Sequence, residues 1–398
     1  PSQFLSFIPS IILSISIRTT KLPLYSTFSM PSKRSSRKSS TFSHPTSSSS
    51  SPSSSNQIRV ISYNLLSPGL TSPSRFPQCH PTHLQSEFRY KLIISKLDYE
   101  LTSTSIPVIF CLQEVSRSWY SKLHLYFLSK NYTMIGSSYG SQYSDYMGVF
   151  IAFPINHPFI TLIECRLERI GQFVYKPPYN SSQTNKESHE LTSIHPSVKY
   201  YDNFKENFKK IMNLSKIWIT LCDYFYKKSE IEMETENAWM YSRKRQNVAI
   251  FLRFQFTLTC EKFCIGTYHN PCAFWSQSVM LIHSGMVINR MIKFAKNGSE
   301  GWILAGDFNI KPSEFTYEFV TKQLCISSYE SGHLDVLPKD EESMQKQAEE
   351  SIEIQSEVDS VYVLFNGKEP DFTNYAKVEE NPMFIETLDY IFIGRNQW

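Results

Sequence analysis

Five short motifs constrain this chain more than anything else in it, because each sets a carboxylate, amide or imidazole where an apolar run ends. They are Ile61-Ser62-Tyr63-Asn64, Leu112-Gln113-Glu114, Thr267-Tyr268-His269-Asn270, Gly306-Asp307-Phe308-Asn309 and Leu388-Asp389-Tyr390-Ile391. Polar groups delivered by buried strands are costly unless they bind something. Five such strand ends in one chain therefore point to a metal and phosphate site.

The chain is long enough, at 398 residues and 41% hydrophobic composition, for one large globular domain or two smaller ones with a substantial core. Its charge is uneven. The first acidic residue is Glu87, and residues 1–55 hold six Lys or Arg, including Lys33, Arg34, Arg37 and Lys38. Removing those six from the 40 basic residues leaves 34 against 37 acidic ones, a net charge of −3. If such a domain binds nucleic acid, a local groove and metal ions must do so, not a broad positive field.

Residues 36–55 are mostly Ser with Pro and Thr and cannot bury enough apolar surface to fold. Residues 1–56 are thus expected to form a Ser-rich tail or a transit-like segment, ahead of one domain over 57–398. The apolar stretch Phe4–Ile17 is broken by Pro9 and is too short to span a bilayer. No transmembrane segment is expected. The compartment reads as cytoplasmic or nuclear, with an organelle as the alternative that a basic, acid-free, Ser-rich N-terminus allows. Cys111, Cys165, Cys222 and Cys264 lie in apolar segments, and Cys260 with Cys264 lacks a second pair at zinc-site spacing, so buried free thiols are expected.

From Gln57 onward, short β-rich runs alternate with amphipathic helices, the pattern of a layered α/β domain. Strands are expected at Ile58–Tyr63, Val108–Leu112, Met147–Phe153, Ile160–Leu167, Val248–Phe256, Phe263–Thr267 and Trp302–Ala305. Helices are expected at Phe88–Leu97, Trp119–Leu128 and Trp275–Phe294, with another starting near Pro312, a residue suited to a first turn. Residues 170–240, with a helical candidate at Tyr200–Tyr226, and the acidic stretch 338–357 break this rhythm and read as insertions or long loops.

Hard ions such as Mg²⁺ prefer carboxylate and amide oxygens and often take only one or two protein carboxylates, a role that suits Glu114 and Asn64. Asp307 and Asn309, two apart after Gly306, project to one side of an extended segment, so that one can orient a water and the other a phosphate oxygen. His269 would supply a cation or donor to charge developing on phosphorus. Asp389 would orient a histidine by accepting its ring proton. Each motif taken singly has a plainer reading: a turn, a capped surface histidine, a simple acceptor. Their common placement after apolar strands favours the joint reading.

The ordered set, with Asp145-Tyr146-Met147-Gly148, Arg245-Gln246-Asn247 and Glu369–Tyr375 in support, resembles the endonuclease/exonuclease/phosphatase superfamily, and within it the deadenylase and nocturnin-like branch. The resemblance runs from about Ile58 to the C-terminus, less the insertions. It implies a four-layer sandwich of two mixed β-sheets packed face to face and flanked by helices. It further implies that Glu114 holds Mg²⁺ (or Mn²⁺) with help from Asn64, and that His269, Asp307, Asn309 and Asp389 are catalytic. Tyr146 and Asn374 would contact substrate, which would be RNA or a nucleotide-like phosphate. The expected reaction is 3′-to-5′ exoribonucleolytic cleavage by metal-assisted in-line attack of water. Two alternatives remain: a phosphatase for a nucleotide cofactor or lipid headgroup, and a catalytically impaired fragment or interaction protein. Family members finish with a Ser-Asp-His strand, whereas this chain ends at Trp398. The expectation is therefore a truncated C-terminus, an Asp389 without its histidine, a sheet with an unpaired edge, and weak or absent activity. Aromatic residues near the site, among them Phe274, Trp275, Phe372 and Tyr375, are candidates for stacking bases or for simple core packing.

Overall fold

The computed structural model describes residues 13–18 by their backbone, and 57–174, 237–322, 354, 357–395 and 397–398 in full. Period-two alternation builds a sandwich from two sheets. One sheet has five strands in the order β1 (Leu13–Arg18), β2 (Gln57–Asn64), β3 (Val108–Val115), β5 (Gly148–Pro154), β4 (Tyr132–Ser138). The other has six, in the order β10 (Val358–Ser360), β13 (Asp389–Gly394), β9 (Gly301–Asp307), β8 (Lys262–His269), β7 (Val248–Phe256), β6 (Ile160–Arg169). A short hairpin pairs β11 (Asn374–Ala376) with β12 (Phe384–Glu386).

Along each central strand, alternate residues enter different cores, as the pleat dictates. Ile58 and Val60 of β2, Ile109 and Cys111 of β3, Ile303 and Ala305 of β9, and Ile391 and Ile393 of β13 meet in one cluster between the sheets. Their neighbours Ile61, Tyr63, Phe110 and Leu112 pack outward with Ile93 and Leu97 of the helix Ser86–Thr102 and with Trp119, Leu123 and Phe127 of the helix Arg117–Ser129. On the other side, Trp302, Leu304, Tyr390 and Phe392 pack against the helix Gln277–Phe294. The result is four layers, helix, sheet, sheet, helix. Each fully buried large side chain in these cores contributes roughly 1.5–3 kcal/mol.

The expected strands and helices that fall among the described residues all form, with bounds displaced by a few residues. The helix expected from Pro312 begins later, at Phe315–Lys322, because the Lys311–Glu314 turn precedes it: Lys311 N donates to Glu314 Oε2 at 3.0 Å. β4 escaped the sequence reading because only Met134 on it is buried, so its apolar pattern is weak. Cys111 and Cys264 are buried free thiols as expected, but Cys165 is exposed on β6, an edge strand whose outer residues face away from the core. Tyr200–Tyr226 and most of both proposed insertions lie outside the described residues.

β1, from within the segment read as a tail, pairs antiparallel along β2 from Leu13↔Ser62 to Arg18↔Gln57, so that β1 rather than β2 forms that edge of the sheet. A strand neighbour satisfies the backbone donors and acceptors that an open edge exposes. Among the described residues, no helix is long and apolar enough to cross a membrane.

Candidate active site

Strand direction gathers the motifs. β2 runs parallel to β3 and β8 parallel to β9, so Asn64, Glu114, His269 and Asp307 all lie at the C-terminal ends of their strands. β13 runs antiparallel to β9 with Asp389↔Asp307 in register, which puts its first residue at the same end. The two sheets thus deliver five polar side chains to one place.

Backbone strain aims two of them. The register between β3 and β5 shifts between Leu112 and Val115, and Glu114 inside that bulge has a left-handed φ of 55°. Bulges re-aim side chains beside functional sites. Asn309 is also left-handed, with φ 54°, and its backbone N–H donates to Asp307 Oδ1 at 2.9 Å. Non-glycine residues held in this region cost of order 1–3 kcal/mol and persist where the surroundings over-determine them.

The centre is a pair of buried carboxylates linked by an amide. Asn64 Nδ2 donates to Glu114 Oε1 at 3.1 Å and to Asp307 Oδ2 at 3.0 Å. His269 Nε2 stands 4.0 Å from the same Glu114 oxygen and 3.9 Å from the same Asp307 oxygen. The second Glu114 oxygen accepts Ser67 N–H at 3.0 Å. Asp389 is buried beside them and accepts Thr373 Oγ1–H at 2.7 Å, while that hydroxyl accepts the backbone N–H of Leu388 and Asp389. Among the described residues no histidine bonds to Asp389.

Two expected residues stand apart. Tyr146 is exposed under the Arg117 guanidinium, and Asn374 lies on β11 next to Thr373 with its Oδ1 unpartnered. Neither is tied to the carboxylates by a hydrogen bond. Asn64 also differs in orientation from the ligand role expected of it. Its Oδ1 accepts Leu66 N–H at 2.9 Å, so it turns its NH₂ toward Glu114, and as a metal ligand it would have to rotate that amide. Asn309 uses its side-chain NH₂ to hold the Asn270 carbonyl at 3.0 Å, which locks the turn that carries Asp307.

Supporting residues were not foreseen. Asn247 Nδ2 donates to the His269 carbonyl at 2.8 Å, Ser67 reaches Glu114, and Thr373 holds Asp389. Arg89 grips the Leu65 and Leu66 carbonyls, and its burial lowers its pKa to about 10. The buried Tyr139 hydroxyl is pushed up by burial and then by Glu114 and Asp307. Only Asn247 and Thr373 sat in motifs visible in the sequence; the rest follow from tertiary placement.

Negative charge is in excess here. Burial raises the Asp307 pKa above the usual carboxylate value against the lowering effect of His269 and the donors from Asn309 and Asn64, and Glu114 raises it further. Asp389 is raised well above its ordinary value by burial first and by Asp307 second. Such a site favours a bound cation. Among the described residues no three His, Cys, Asp or Glu side chains form a ready-made metal shell. One or two carboxylates with room for water and phosphate is nonetheless the arrangement Mg²⁺ commonly takes, so the donor set fits that ion.

The raised Asp389 pKa has a measurable consequence. The folded state holds this group's proton more tightly than the unfolded chain does, so ionising it opposes folding above the ordinary value of 3.8. Asp389→Asn is therefore expected to raise the melting temperature near neutral pH in EDTA. That gain should shrink as the pH falls to and below 3.8, where the unfolded state too becomes protonated. A gain independent of pH would contradict the assignment.

The fold is the four-layer sandwich of a phosphoesterase family. The chain belongs to the Endonuclease/Exonuclease/phosphatase family, whose model matches residues 61–398. Members of that family are phosphoesterase hydrolases. The fold is similar to that of ANGEL2, a 2′,3′-cyclic phosphatase, at 16% identity and a TM-score of 0.51, covering 85% of this chain and 83% of that one. The human Nocturnin catalytic domain with bound sulfate matches at 15% identity and a TM-score of 0.46, covering 85% and 82%. No curated protein sequence matches the chain.

Proposed function

We propose that this protein is a Mg²⁺-dependent phosphodiesterase that removes nucleotides from the 3′ end of RNA. The observation that carries the reading is the convergence of Asn64, Glu114, His269, Asp307, Asn309 and Asp389 at one end of both sheets. When bound, the metal would supply charge neutralisation at the scissile phosphate and Lewis acidity toward its oxygens. Glu114 would hold it, with Asn64 beside it.

The chain's own residues then divide the work. Asp307, fixed through both oxygens by Asn309 N–H and Asn64 Nδ2, would orient the attacking water. His269, buried and held through its carbonyl by Asn247, directs Nε2 toward the same point and would donate to a phosphoryl oxygen as charge develops there. Asp389, neutral when its proton is retained, can give or take a proton at Oδ1, since Oδ2 is held by Thr373.

The test is hydrolysis of a 5′-labelled oligoadenylate by the full chain. A ladder shortening from the 3′ end in Mg²⁺ and abolished by EDTA is the expected result. Cleavage of nucleotide phosphates or lipid headgroup phosphates alone would instead favour a phosphatase. Metal binding without any turnover would favour an interaction protein.

A further inference from the structure

Beside the catalytic end lies a cluster that the hydrolytic site does not use. Trp275, six residues after His269, is 63% exposed, and Tyr241 is 41% exposed. Their rings meet edge to face at 5.4 Å, and the Arg245 guanidinium lies 5.6 Å from the Trp275 centroid. Phe274, by contrast, turns to the hairpin and packs on Phe384 at 6.2 Å, so the two consecutive aromatics face different partners. Large aromatics left in water while a neighbouring cation holds one in place have an available stacking face.

Charge accompanies the rings. Arg243, Lys244 and Arg245 follow one another, and among the described residues no carboxylate forms an ion pair with any of the three. This run stands on a domain that is net acidic outside residues 1–55, so its field is local. It is also physically joined to the site. Asn247, two residues on, donates to the His269 carbonyl, and Arg245 acts on the same Cys272 thiol as Asp307 and Glu114 do.

We propose that Tyr241, Trp275 and the Arg243–Arg245 run form a second subsite that stacks bases and holds phosphates of single-stranded RNA upstream of the scissile end. Aromatic faces interleaved with cations are the sequence-tolerant way to hold a single strand. Alternating stacking and phosphate contacts would keep the polymer registered while its end occupies the carboxylate site. The inference rests on the RNA reading above for its biological meaning, but binding can be measured without turnover.

The experiment is fluorescence anisotropy of a labelled twelve-nucleotide oligoadenylate with the full chain in EDTA, so that strand length and intactness are constant. Trp275→Ala is expected to raise Kd by about tenfold, and Trp275→Phe to restore it to within about twofold, since each stacked base is held by the face of the ring. Arg245→Gln is expected to weaken binding and to reduce the steepness of its salt dependence by about one counterion. Melting curves check that each variant folds. Absence of binding by the unaltered protein, unchanged affinity in Trp275→Ala, or equal losses in the Ala and Phe variants would each overturn the proposal. The same oligomer with Mg²⁺ tests hydrolysis separately. Trp275-dependent binding without cleavage would sink the exonuclease reading alone, and cleavage with Trp275-independent binding would sink the subsite alone.

Discussion

Glu114→Ala is expected to lower kcat on any phosphate ester substrate by about 10³-fold or more, several kcal/mol of transition-state stabilisation. The reason is positional. Glu114 sits in a bulge with a left-handed backbone, its two oxygens engaged separately by Asn64 Nδ2 and Ser67 N–H, and one of them also faces His269 Nε2. Removing it takes away a buried negative charge at the point where a cation would sit, and leaves the Ser67 N–H and one of the two Asn64 amide hydrogens without a partner. The second effect is structural, so Glu114→Gln is the informative companion: it retains an oxygen for a donor but not the charge. If charge is what matters, both variants lose Mg²⁺ binding by calorimetry and both lose turnover, while the Gln variant melts close to the parent. Turnover unchanged in either variant would refute Glu114 as the metal-holding residue.

Gly306→Ala should be the most damaging single methyl group in the six-stranded sheet. A Cβ at Gly306 would stand 1.8 Å from the Tyr268 carbonyl oxygen, with the Tyr268 carbonyl carbon at 2.9 Å. That oxygen belongs to backbone and cannot swing aside. β8 and β9 are paired in parallel at Tyr268↔Gly306, and the next pair along is His269↔Asp307. Relief therefore has to separate the two strands at the step that sets the distance between two site residues. A loss of about 3 kcal/mol is expected from this overpacking, together with a fall in kcat, measured by urea denaturation and by turnover below the melting range. Gly367→Ala supplies the contrast. Gly367 caps the helix Val361–Asn366 with φ +74°, and a methyl group added there would meet nothing within 4 Å. Only the left-handed backbone is then taxed, by about 1 kcal/mol, with turnover intact. Equal damage from both substitutions would show that backbone conformation, not the contact between β8 and β9, governs Gly306.

Much of the candidate site was legible because it obeys local rules. Continuous apolar runs such as Val108–Leu112 and Trp302–Ala305 can only be buried strands or buried helix segments, and a polar residue closing such a run is costly without a partner. Hence Asn64, Glu114, His269, Asp307 and Asn309 were readable, whereas Asp389, expected to close a strand, opens β13 and reaches the same end because that strand runs antiparallel to β9. Tyr146 and Asn374 were carried by resemblance alone, and the fold gives neither of them a hydrogen bond to the carboxylates.

What sequence by itself determined is the set of well-buried central strands, their alternating faces and the chemical identity of the groups at their ends, since these depend on residue type and on spacing of two or four; β1 and the weakly patterned β4 were not among them. What only tertiary structure decided is pairing. Strand order brings Asn64 to Asp307 across 243 positions, sets Thr373 under Asp389, and lays β1 along β2. It also separates Phe274 from Trp275 and sets Tyr241 and Arg245 beside the latter. No local pattern encodes these contacts, because each joins segments whose own hydrogen bonding and periodicity are already satisfied; they arise only when two sheets bury a common core and so bring the same ends of distant strands together.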